Sequence, residues 1–585
     1  MLNALLKISG STEPGFAQKT VKWAITCTID GDFTGVIPLG EGKGREYQYC
    51  PNLSQPELVA GGEKRSHFLV EGLATITLYG KSDATEQEEE KYRAKHEYFC
   101  SLLESASLNA PYLQAAAKML KNEEALIAIQ ASLKRQKAKP TDLATVMVGS
   151  INPLENDEWK DWWRKYRQSI QTPKKSSPQM RCFATGELVD PLMTHPKIKG
   201  LAGVGGLGTG DVLIGFDKEA SRSYGLEQSA NAAVSEDAAT AYAETLSGLI
   251  RDKGIKLGNT VVTYWFLASI PDEDNPFPWL TEPPEQTSAV AELKARQLLK
   301  AIKEGLRPDL AGNRYTALVL SGYAGRVMVR EIMEGSFEVL VENIEKWFSD
   351  LAIVSREGNQ LIPLPKFLSV VNAIEFLAKD GSILRSIKDV PPHLISSMWR
   401  AALTGGTIPD AAMNRTLMRI KTDFIADRPP LEVRFSLIKA YLKRKGDQNM
   451  EPYLNKEHPH PAYHCGRLLA VLARLQRTAL GDVGAGVVQR YYAAASQTPG
   501  LVLGRLIANA KNHLGKLEGG LAWWYENLIS EVMGGLKDEI PRTLTLEEQS
   551  LFALGYYQQL AALNAGKGER TEKVADNDTN QEGTK

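Results

Sequence analysis

The sequence predicts an α+β fold, in which a mixed strand and helix N-terminal body is followed by a C-terminal all-helical bundle. Alternating apolar and polar residues, typical of strands, occur between residues 20 and 80 and again near 211–216, 260–267 and 314–322. From about residue 395 the apolar residues recur at helical spacing between short turn signals. The chain has 585 residues and is 43% hydrophobic and 24% charged, a composition that indicates several globular domains and excludes wholesale disorder.

The N-terminal body begins with three strand-like segments. Residues 20–29 alternate up to the turn signal Asp30-Gly31, the extended pattern resumes at 33–39, and residues 68–80 form the third segment. The stretch before the third segment is rich in glycine, proline and basic residues, which favours a loop. Helical periodicity follows from about 85 to 150.

Composition along the chain predicts the domain organisation. The predicted regions are a mixed α/β N-terminal body at 1–270, a proline- and acid-rich loop or linker at 271–285, a strand–helix continuation of the body at 286–394, a helical bundle at 395–564 and a disordered polar tail at 565–585.

Cysteine usage and hydropathy predict the compartment. The five cysteines are scattered and form no Cys-x-x-Cys pair, which argues against a disulfide framework and a zinc ribbon. The sequence has neither a signal-peptide pattern nor an apolar run of membrane-spanning length. We therefore expect a cytoplasmic protein that has no membrane partner.

Motifs typical of enzymes are incomplete in this sequence. Residues 203–208 match the dinucleotide-binding pattern G-x-G-x-x-G, but a predicted strand follows where that motif needs a helix. His458, His460 and His464 form the only histidine cluster, and its prolines oppose the helix that would align the rings on a metal. We predict no catalytic residue, no cofactor and no metal ion. The alternative is a nucleotide-binding enzyme that uses the loop Gly203–Gly210.

Charge distribution gives the stronger signal. With 69 Lys and Arg against 70 Asp and Glu, the formal net charge is −1, so a polyanion would have to bind local basic faces. Glycines in two N-terminal loops allow close backbone approach to phosphates, and neighbouring cations can neutralise phosphates or reach guanine edges. The residues concerned are Lys43, Arg45, Gly61, Gly62, Lys64, Arg65, Ser66 and His67.

A second basic stretch, residues 159–181, interleaves aromatic residues with seven cations. Such a mixture can stack nucleic-acid bases. A helix that buries its tryptophans and solvates its cations produces the same pattern, and we favour that interpretation.

The third basic region lies in the predicted helical part of the chain. Residues 411–445 carry nine basic residues against three acids, and residues 458–519 carry seven against two. Two of the arginine pairs recur at helical spacing, so the members of each pair can share one face. This excess predicts a polyanion-binding surface, with an ordinary solvated helix face as the alternative. The arginines selected are Arg415, Arg419, Arg467, Arg474 and Arg477.

Segments spread along the chain resemble a known family in their order. These segments are PGF at 14–16, VKWAI at 21–25, RCFATGE and THPKIKG within 181–200, SYGLEQSANAAVSEDAATAY at 223–242, SGYAGRVMVREIMEGSF at 321–337, GRLLAVLARLQ at 466–476, QRYYAAASQTPGLVLGRLI at 489–507 and LTLEEQSLFALGYYQQ at 544–559. Together they resemble the large subunit of the type I-C CRISPR Cascade surveillance complex.

The resemblance implies a non-catalytic subunit of an RNA-guided antiviral complex. Such a subunit recognises the protospacer-adjacent motif in double-stranded DNA, aids duplex opening and R-loop formation, stabilises the displaced strand and recruits a helicase-nuclease. The implied partners are the crRNA-containing subunits, namely the backbone filament, the handle-binding subunit and the small subunits, together with target DNA and the helicase-nuclease. We expect the N-terminal loops to contact the duplex and motif, and the selected bundle arginines to contact the displaced strand.

Two further points follow from the resemblance. His67-Phe-Leu-Val-Glu71-Gly72 stands where the family commonly has an Asn-Phe-Leu-Cys-Asp-Asn type of stretch, so DNA contacts at this turn are expected to differ. In this family the C-terminal helical part can also be made separately from an internal start, for which Met450, Met413 and Met418 are the alternatives. A scaffold that contacts only crRNA and protein subunits is the competing interpretation.

Overall fold

The computed structural model divides the chain into two compact units. Unit 1 comprises residues 1–200, 207–251 and 325–327, and unit 2 comprises residues 201–206, 252–324 and 328–585. The structure describes the whole chain except residues 11–12, 55–56, 59–63, 81–84, 171–178, 282–287, 375–389, 482–483, 538 and 580–585.

Unit 1 is built on short strands. Its four-stranded sheet has the order β3-β2-β6-β5, in which β2 runs parallel to β6 and antiparallel to β3. Strands β1 and β4 form a separate antiparallel pair, as do β7 and β8, and β9 runs antiparallel to β10. The strands are β1 Phe16–Val21, β2 Trp23–Cys27, β3 Phe33–Pro38, β4 Arg45–Pro51, β5 Glu71–Gly72, β6 Leu143–Val148, β7 Met180–Arg181, β8 Leu188–Val189, β9 Lys197–Ile198 and β10 Asp211–Val212.

The helices of unit 1 cover this framework. Its core combines the fully buried strand β2 with Phe68, Phe99, Leu103 and Trp163. Such burial of apolar side chains is the main force that holds the unit together. The helices are α1 Leu2–Ile8, α2 Leu73–Ile76, α3 Glu86–Ala106, α4 Leu113–Lys121, α5 Glu123–Arg135, α6 Lys160–Ile170 and α7 Glu236–Lys253.

Unit 2 begins with strands and continues in helices. Strands β11 Ile255–Leu257, β12 Thr260–Phe266, β13 Arg314–Tyr323 and β14 Arg326–Ser336 follow one another in its sheet. The helices are α8 Pro276–Thr281, α9 Ser288–Lys303, α10 Phe337–Leu351, α11 Phe367–Ala373, α12 Pro392–Thr404, α13 Asp410–Ile425, α14 Glu432–Arg444, α15 Pro461–Leu480, α16 Val487–Ala495, α17 Pro499–Leu514, α18 Gly519–Gly534 and α19 Leu546–Thr579.

Two glycines allow α15 and α19 to cross with their backbones in contact. A Cβ on Gly466 would overlap the carbonyl oxygen of Phe552, and a Cβ on Gly555 would overlap that of Tyr463. Glycine is required at both positions because any side chain would push the helices apart. The crossing fixes α19 in a core that extends from Leu257 to Ala561.

The structure confirms the α+β class, with sheets in the N-terminal half and helices dominating the C-terminal region. The third predicted strand segment, residues 68–80, is different. It contains only the short β5 and then the buried helix α2, because a continuous apolar run does not by itself distinguish a strand from a buried helix.

The compact units also differ from the predicted domain boundaries. The division near residue 252 falls inside the predicted body 1–270, and the helices of 395–564 share one core with the strands from 255 onward. The predicted linker 271–285 contains α8, which buries Phe277 and Trp279 in that core. Helix α19 continues to Thr579, past the start of the predicted disordered tail at 565, where Ala, Lys and Glu favour helix.

Candidate nucleic-acid interfaces

The turn Lys64–His67 in unit 1 is anchored by its own side chains. The Arg65 guanidinium donates a hydrogen bond to the Glu57 carbonyl at 3.0 Å, and Ser66 is fully buried. The Leu53 N–H donates to His67 Nδ1 at 3.0 Å, and the His67 N–H donates to Glu71 at 3.0 Å. Arg65, Ser66 and His67 therefore shape the turn. Gly61 and Gly62 lie outside the described residues.

His67 itself does not supply charge at neutral pH. Burial holds the pKa of its imidazole well below the usual value, and the charges of Lys19, Lys95 and Lys199 lower that pKa further. A neutral ring fits the observed hydrogen bond, in which Nδ1 is the acceptor.

Lysines surround this turn. Lys64 is exposed and borders a surface depression that is also lined by Lys91 and by acidic Glu88 and Glu90. Lys19 lies below the turn, where its Nζ donates to the carbonyls of residues 51 and 70 at 3.0 and 3.5 Å and where burial lowers its pKa to about 8. We call the group Lys64, Lys91, Lys95 and Lys199 the lysine surface.

In the neighbouring loop, the backbone N–H groups around Lys43 are already engaged, so Lys43 offers its side chain. The N–H groups of residues 42, 43 and 44 all donate to the carbonyls of Leu39 or Gly40. Lys43 is exposed, whereas Arg45 pairs with Glu155 at 2.7 Å and lies over the Tyr47 ring. A phosphate near this loop would be contacted by the Lys43 ammonium group.

Helix α6, which contains the first part of the second basic stretch, has a structural role, and residues 171–178 of that stretch lie outside the described residues. Trp159 and Trp163 are fully buried, and their indole N–H groups donate to backbone carbonyls at 2.7 Å. Arg164 pairs with Glu13 at 2.6 Å, and buried Arg167 pairs with Glu57 and Glu236. The interpretation favoured from sequence, a helix with tryptophans in the core, agrees with these contacts, although several of its cations are paired rather than solvated.

Two of the five selected bundle arginines are in the interior of unit 2, which corrects the sequence prediction for them. Arg419 is 1% exposed and pairs with Asp423 at 3.1 Å, and Arg467 is 0% exposed and pairs with Glu531 at 2.8 Å. Helical spacing predicted which arginines share a face, but the arginine-bearing faces of these helices are packed against neighbouring helices. A buried, paired guanidinium cannot contact a DNA strand in this conformation.

The other three arginines reach the surface. Arg415 and Arg474 are half-buried and Arg477 is exposed. Arg474 donates to Asn564 on α19. Arg477 is adjacent to Thr478, whose hydroxyl lies 2.8 Å from the Tyr525 hydroxyl on α18.

On α18, which packs against α15, the structure reveals two exposed aromatic residues that the sequence analysis missed. Trp523 is 66% exposed and Trp524 is 41% exposed, and the Trp524 ring lies edge-on to Tyr525 with centroids 4.8 Å apart. Their signal in the sequence is a Trp-Trp pair in a helix close to the arginine-rich segments, without the intervening cations that marked 159–181. We call Arg474, Arg477, Trp523 and Trp524 the tryptophan surface.

The glycine loop at 203–210 is used for packing. A Cβ on Gly205 would come within 2.6 Å of the Gly322 carbonyl oxygen, and a Cβ on Gly322 would overlap the backbone of Gly206. The helical turn there, 202–204, spans three residues and is followed by Gly205 in the left-handed region. No helix opens on this motif to hold a pyrophosphate, so the geometry gives no support to the nucleotide-binding alternative.

The histidines at 458–464 are occupied by protein contacts. His458 pairs with Asp447 at 3.3 Å, the His458 carbonyl is 2.6 Å from His464 Nε2, and the Arg467 guanidinium is 3.1 Å from His464 Nδ1. Within the ranges that the structure describes, no group of three His, Cys, Asp or Glu side chains is arranged to hold a metal ion. The five cysteines are all buried and free.

Comparison with known proteins identifies the family. The model of the CRISPR-associated protein (Cas_Csd1) family matches residues 4–564. This chain belongs to that family. The match confirms the CRISPR association implied by the sequence resemblance and supports a component of a Cascade-type complex. No curated protein matches the chain. Among the described helices, none combines the length and the apolar character needed to cross a bilayer.

Proposed function

We propose that this Cas_Csd1 protein is the non-catalytic large subunit of a type I-C Cascade complex, which recognises the protospacer-adjacent motif in duplex DNA. The observation that carries the proposal is the lysine surface beside the anchored turn Lys64–His67. Lysines held near a fixed backbone supply charge without the entropy cost of ordering a mobile loop. Guide pairing reads most of the target sequence, so a small duplex reader is sufficient.

The residues of the turn have different roles, because some of their side chains are anchored and one is exposed. Lys64 is the residue that can reach a phosphate or the O6 and N7 acceptors of guanine. Lys91, Lys95 and Lys199 add phosphate contacts that position the duplex, and Lys43 extends this contact from the neighbouring loop. Arg65, Ser66 and His67 hold the turn in shape, and Gly61 and Gly62 stay a prediction.

We infer that the bundle stabilises the displaced strand after R-loop formation. Among the arginines selected from the sequence, those that reach the surface are Arg415, Arg474 and Arg477. The remaining protein surfaces serve the partners that the family resemblance implies, which are the backbone filament, the handle-binding subunit, the small subunits and the helicase-nuclease.

An internal start for a separate small subunit is better placed at Met413 or Met418 than at Met450. Phe424 on α13 packs against Tyr492 and Tyr556 with centroids 4.4 and 5.3 Å apart. Phe435 on α14 stacks on Tyr557 at 4.2 Å. A product from Met450 would lack both phenylalanines and expose the aromatic face of α19, whereas either earlier start retains them.

The deciding experiment is DNA binding by the crRNA-loaded complex. The duplexes would differ only in the base pairs that flank the protospacer, and the complex would contain the wild-type chain, Lys64→Ala or no large subunit. Lys134 on α5 is exposed, so Lys134→Ala is the matched control. We expect motif-dependent binding to vanish without the subunit and to weaken with Lys64→Ala alone.

Two results would contradict parts of this proposal. Motif dependence that persists without the subunit would place the reader elsewhere and favour a scaffold that contacts only crRNA and protein. An equal loss of affinity for every duplex with Lys64→Ala would limit Lys64 to a phosphate contact.

A further inference from the structure

The tryptophan surface contains large exposed aromatic residues, which an ordinary solvated helix face lacks. Helix α18 exposes the rings of Trp523 and Trp524, although large aromatic residues usually bury most of their area. The Tyr525 hydroxyl, next along the chain, lies 2.8 Å from the hydroxyl of Thr478, and this contact fixes α18 against α15, the helix that carries Arg477. An indole face next to a guanidinium is the arrangement on which an unpaired base stacks.

The charges around these tryptophans indicate a polyanion. Between residues 459 and 517 the sequence contains seven Lys and Arg and one acid, Asp482. Five of these cations are exposed, and within the described part of the chain none of the five forms an ion pair with an acidic side chain. Four of them lie on three consecutive helices, α15 to α17, Lys516 follows α17, and α15 packs against α18. The five are Arg477, Arg490, Arg505, Lys511 and Lys516.

Helix α18 contributes two acids against these five cations, and one of the two is paired. Glu531 is paired with Arg467 and Lys456 at 2.8 and 3.1 Å, so it is already neutralised. Glu526 is the other acidic residue of the helix. A protein-binding patch is typically depleted of charge at its centre, whereas here the helix packed against α18 carries the exposed cation Arg477.

We propose that Trp523 and Trp524 on α18, with Arg477 on the adjacent helix α15, form a base-stacking platform for single-stranded nucleic acid. This proposal deepens the displaced-strand contact and rests on the proposed function. The platform binds bases that are already unstacked. In duplex DNA the base faces are covered, so only the cations can contact it. It thereby makes the bundle selective for the opened strand.

The test is binding of the full-length chain to a labelled oligothymidylate and to an abasic oligomer of equal length, measured by fluorescence anisotropy. The double variant Trp523→Ala/Trp524→Ala should lose about tenfold in affinity for oligothymidylate. It should keep its affinity for the abasic oligomer, which has the phosphates but no bases. Trp523→Phe/Trp524→Phe should retain most of the oligothymidylate binding because phenylalanine still stacks.

Matched variants separate stacking from charge and from general surface changes. Arg477→Gln should weaken the binding of both oligomers by the same factor. Met418 and Ile425 on α13 are 59% and 57% exposed, so Met418→Ala/Ile425→Ala is the control for loss of exposed apolar area and should change neither affinity. Thermal unfolding of each variant verifies that the fold is intact.

Several results would overturn the platform. These are wild-type affinity of the alanine double variant for oligothymidylate, an equal loss on the abasic oligomer, or no binding of single strands by the wild-type chain. Loss of assembly with the other Cascade subunits, with single-strand binding intact, would instead make the patch a protein-docking site. Motif-dependent duplex binding by the assembled complex depends on Lys64, so failure of the motif reader and failure of the platform are measured separately.

Discussion

Helix α6 and the helices α15 to α18 contain the same types of residue with opposite consequences. Both regions combine tryptophans with arginines and lysines. In α6 the tryptophan Trp163 is buried and Arg167 is paired with two glutamates. On α15 and α18, Arg477 and Trp523 are exposed. A basic and aromatic composition therefore indicates nucleic-acid binding only where the cations have no acidic partners and the aromatic rings are not packed in a core.

The largest expected difference concerns the tryptophans. Trp163→Ala should lower the free energy of unfolding of unit 1 by about 4 kcal/mol, because it empties a packed site and removes the hydrogen bond to Gly15. Trp523→Ala should change the stability of unit 2 by less than about 0.5 kcal/mol. Calorimetric unfolding of the full chain measures both. Similar losses in the two variants would break the distinction between core and surface tryptophans.

The second difference concerns the arginines. Arg167→Gln should cost unit 1 about 3 kcal/mol, since it leaves the buried Glu57 carboxylate without its cation. Arg477→Gln should leave the unfolding transition of unit 2 in place. The same calorimetric scans provide the measurement, and the comparison fails if Arg167→Gln unfolds at the wild-type temperature.

Glu244, a largely buried acid in unit 1, should make the stability of that unit depend on pH. Burial raises the pKa of Glu244 from 4.5 to about 7, and nearby Lys199 opposes the shift. The folded state therefore binds more protons than the unfolded state, so the stability contributed by protonated Glu244 is complete below pH 4.5 and is lost as pH rises through about 7. After allowance for the partial exposure of Glu244, the free energy of unfolding should fall by about 2 kcal/mol over this pH range.

Glu244→Gln should remove this pH dependence. The variant should be more stable than wild type at pH 8 and similar to it at low pH, as measured by the unfolding temperature across that range. A wild-type pH profile in the variant would show that Glu244 is solvated in the folded protein.

The smallest expected effect concerns the salt dependence of binding through the exposed cations. Arg477→Gln/Arg505→Gln should reduce the slope of log affinity against log salt by about 1.4 for single-stranded DNA, or about 0.7 for each lost phosphate contact. Stability should be unchanged. The matched control is Lys303→Gln, an exposed lysine on α9. An unchanged slope in the double variant would exclude these two arginines from the strand contact.

The fold class could be predicted from the sequence because periodicity reports burial along each element. The helical character of the C-terminal region and the strands near 260 and 314 follow from that periodicity. Domain boundaries could not be predicted, because the core of unit 2 joins residues that lie up to 300 positions apart. Proline and acid content indicated a linker at 271–285, yet Phe277 and Trp279 make it part of the core.

The candidate site was predictable only in part for a related reason. Sequence locates cations but does not report their partners. Asp423 forms ion pairs with the buried Arg419 and Arg434, and Glu531 forms one with the buried Arg467. These acidic partners determine which arginines are held in the interior and which remain on the surface. The turn at Lys64 was found because glycine and lysine cluster locally. Trp523 was missed because the exposed Arg477, on the neighbouring helix α15, is distant from it in sequence.

The crossing of α15 and α19 has a consequence for the order in which the chain can fold during synthesis. Gly466 and Gly555 place α19 in the same core as α10 and α14, so this core stays open until the last of these helices has been made. At ribosomal speeds roughly ten to forty seconds separate the synthesis of α10 from that of α19. During that interval the aromatic face that receives Tyr557 is uncovered, which makes the nascent chain a substrate for chaperones and proteases before it becomes a subunit.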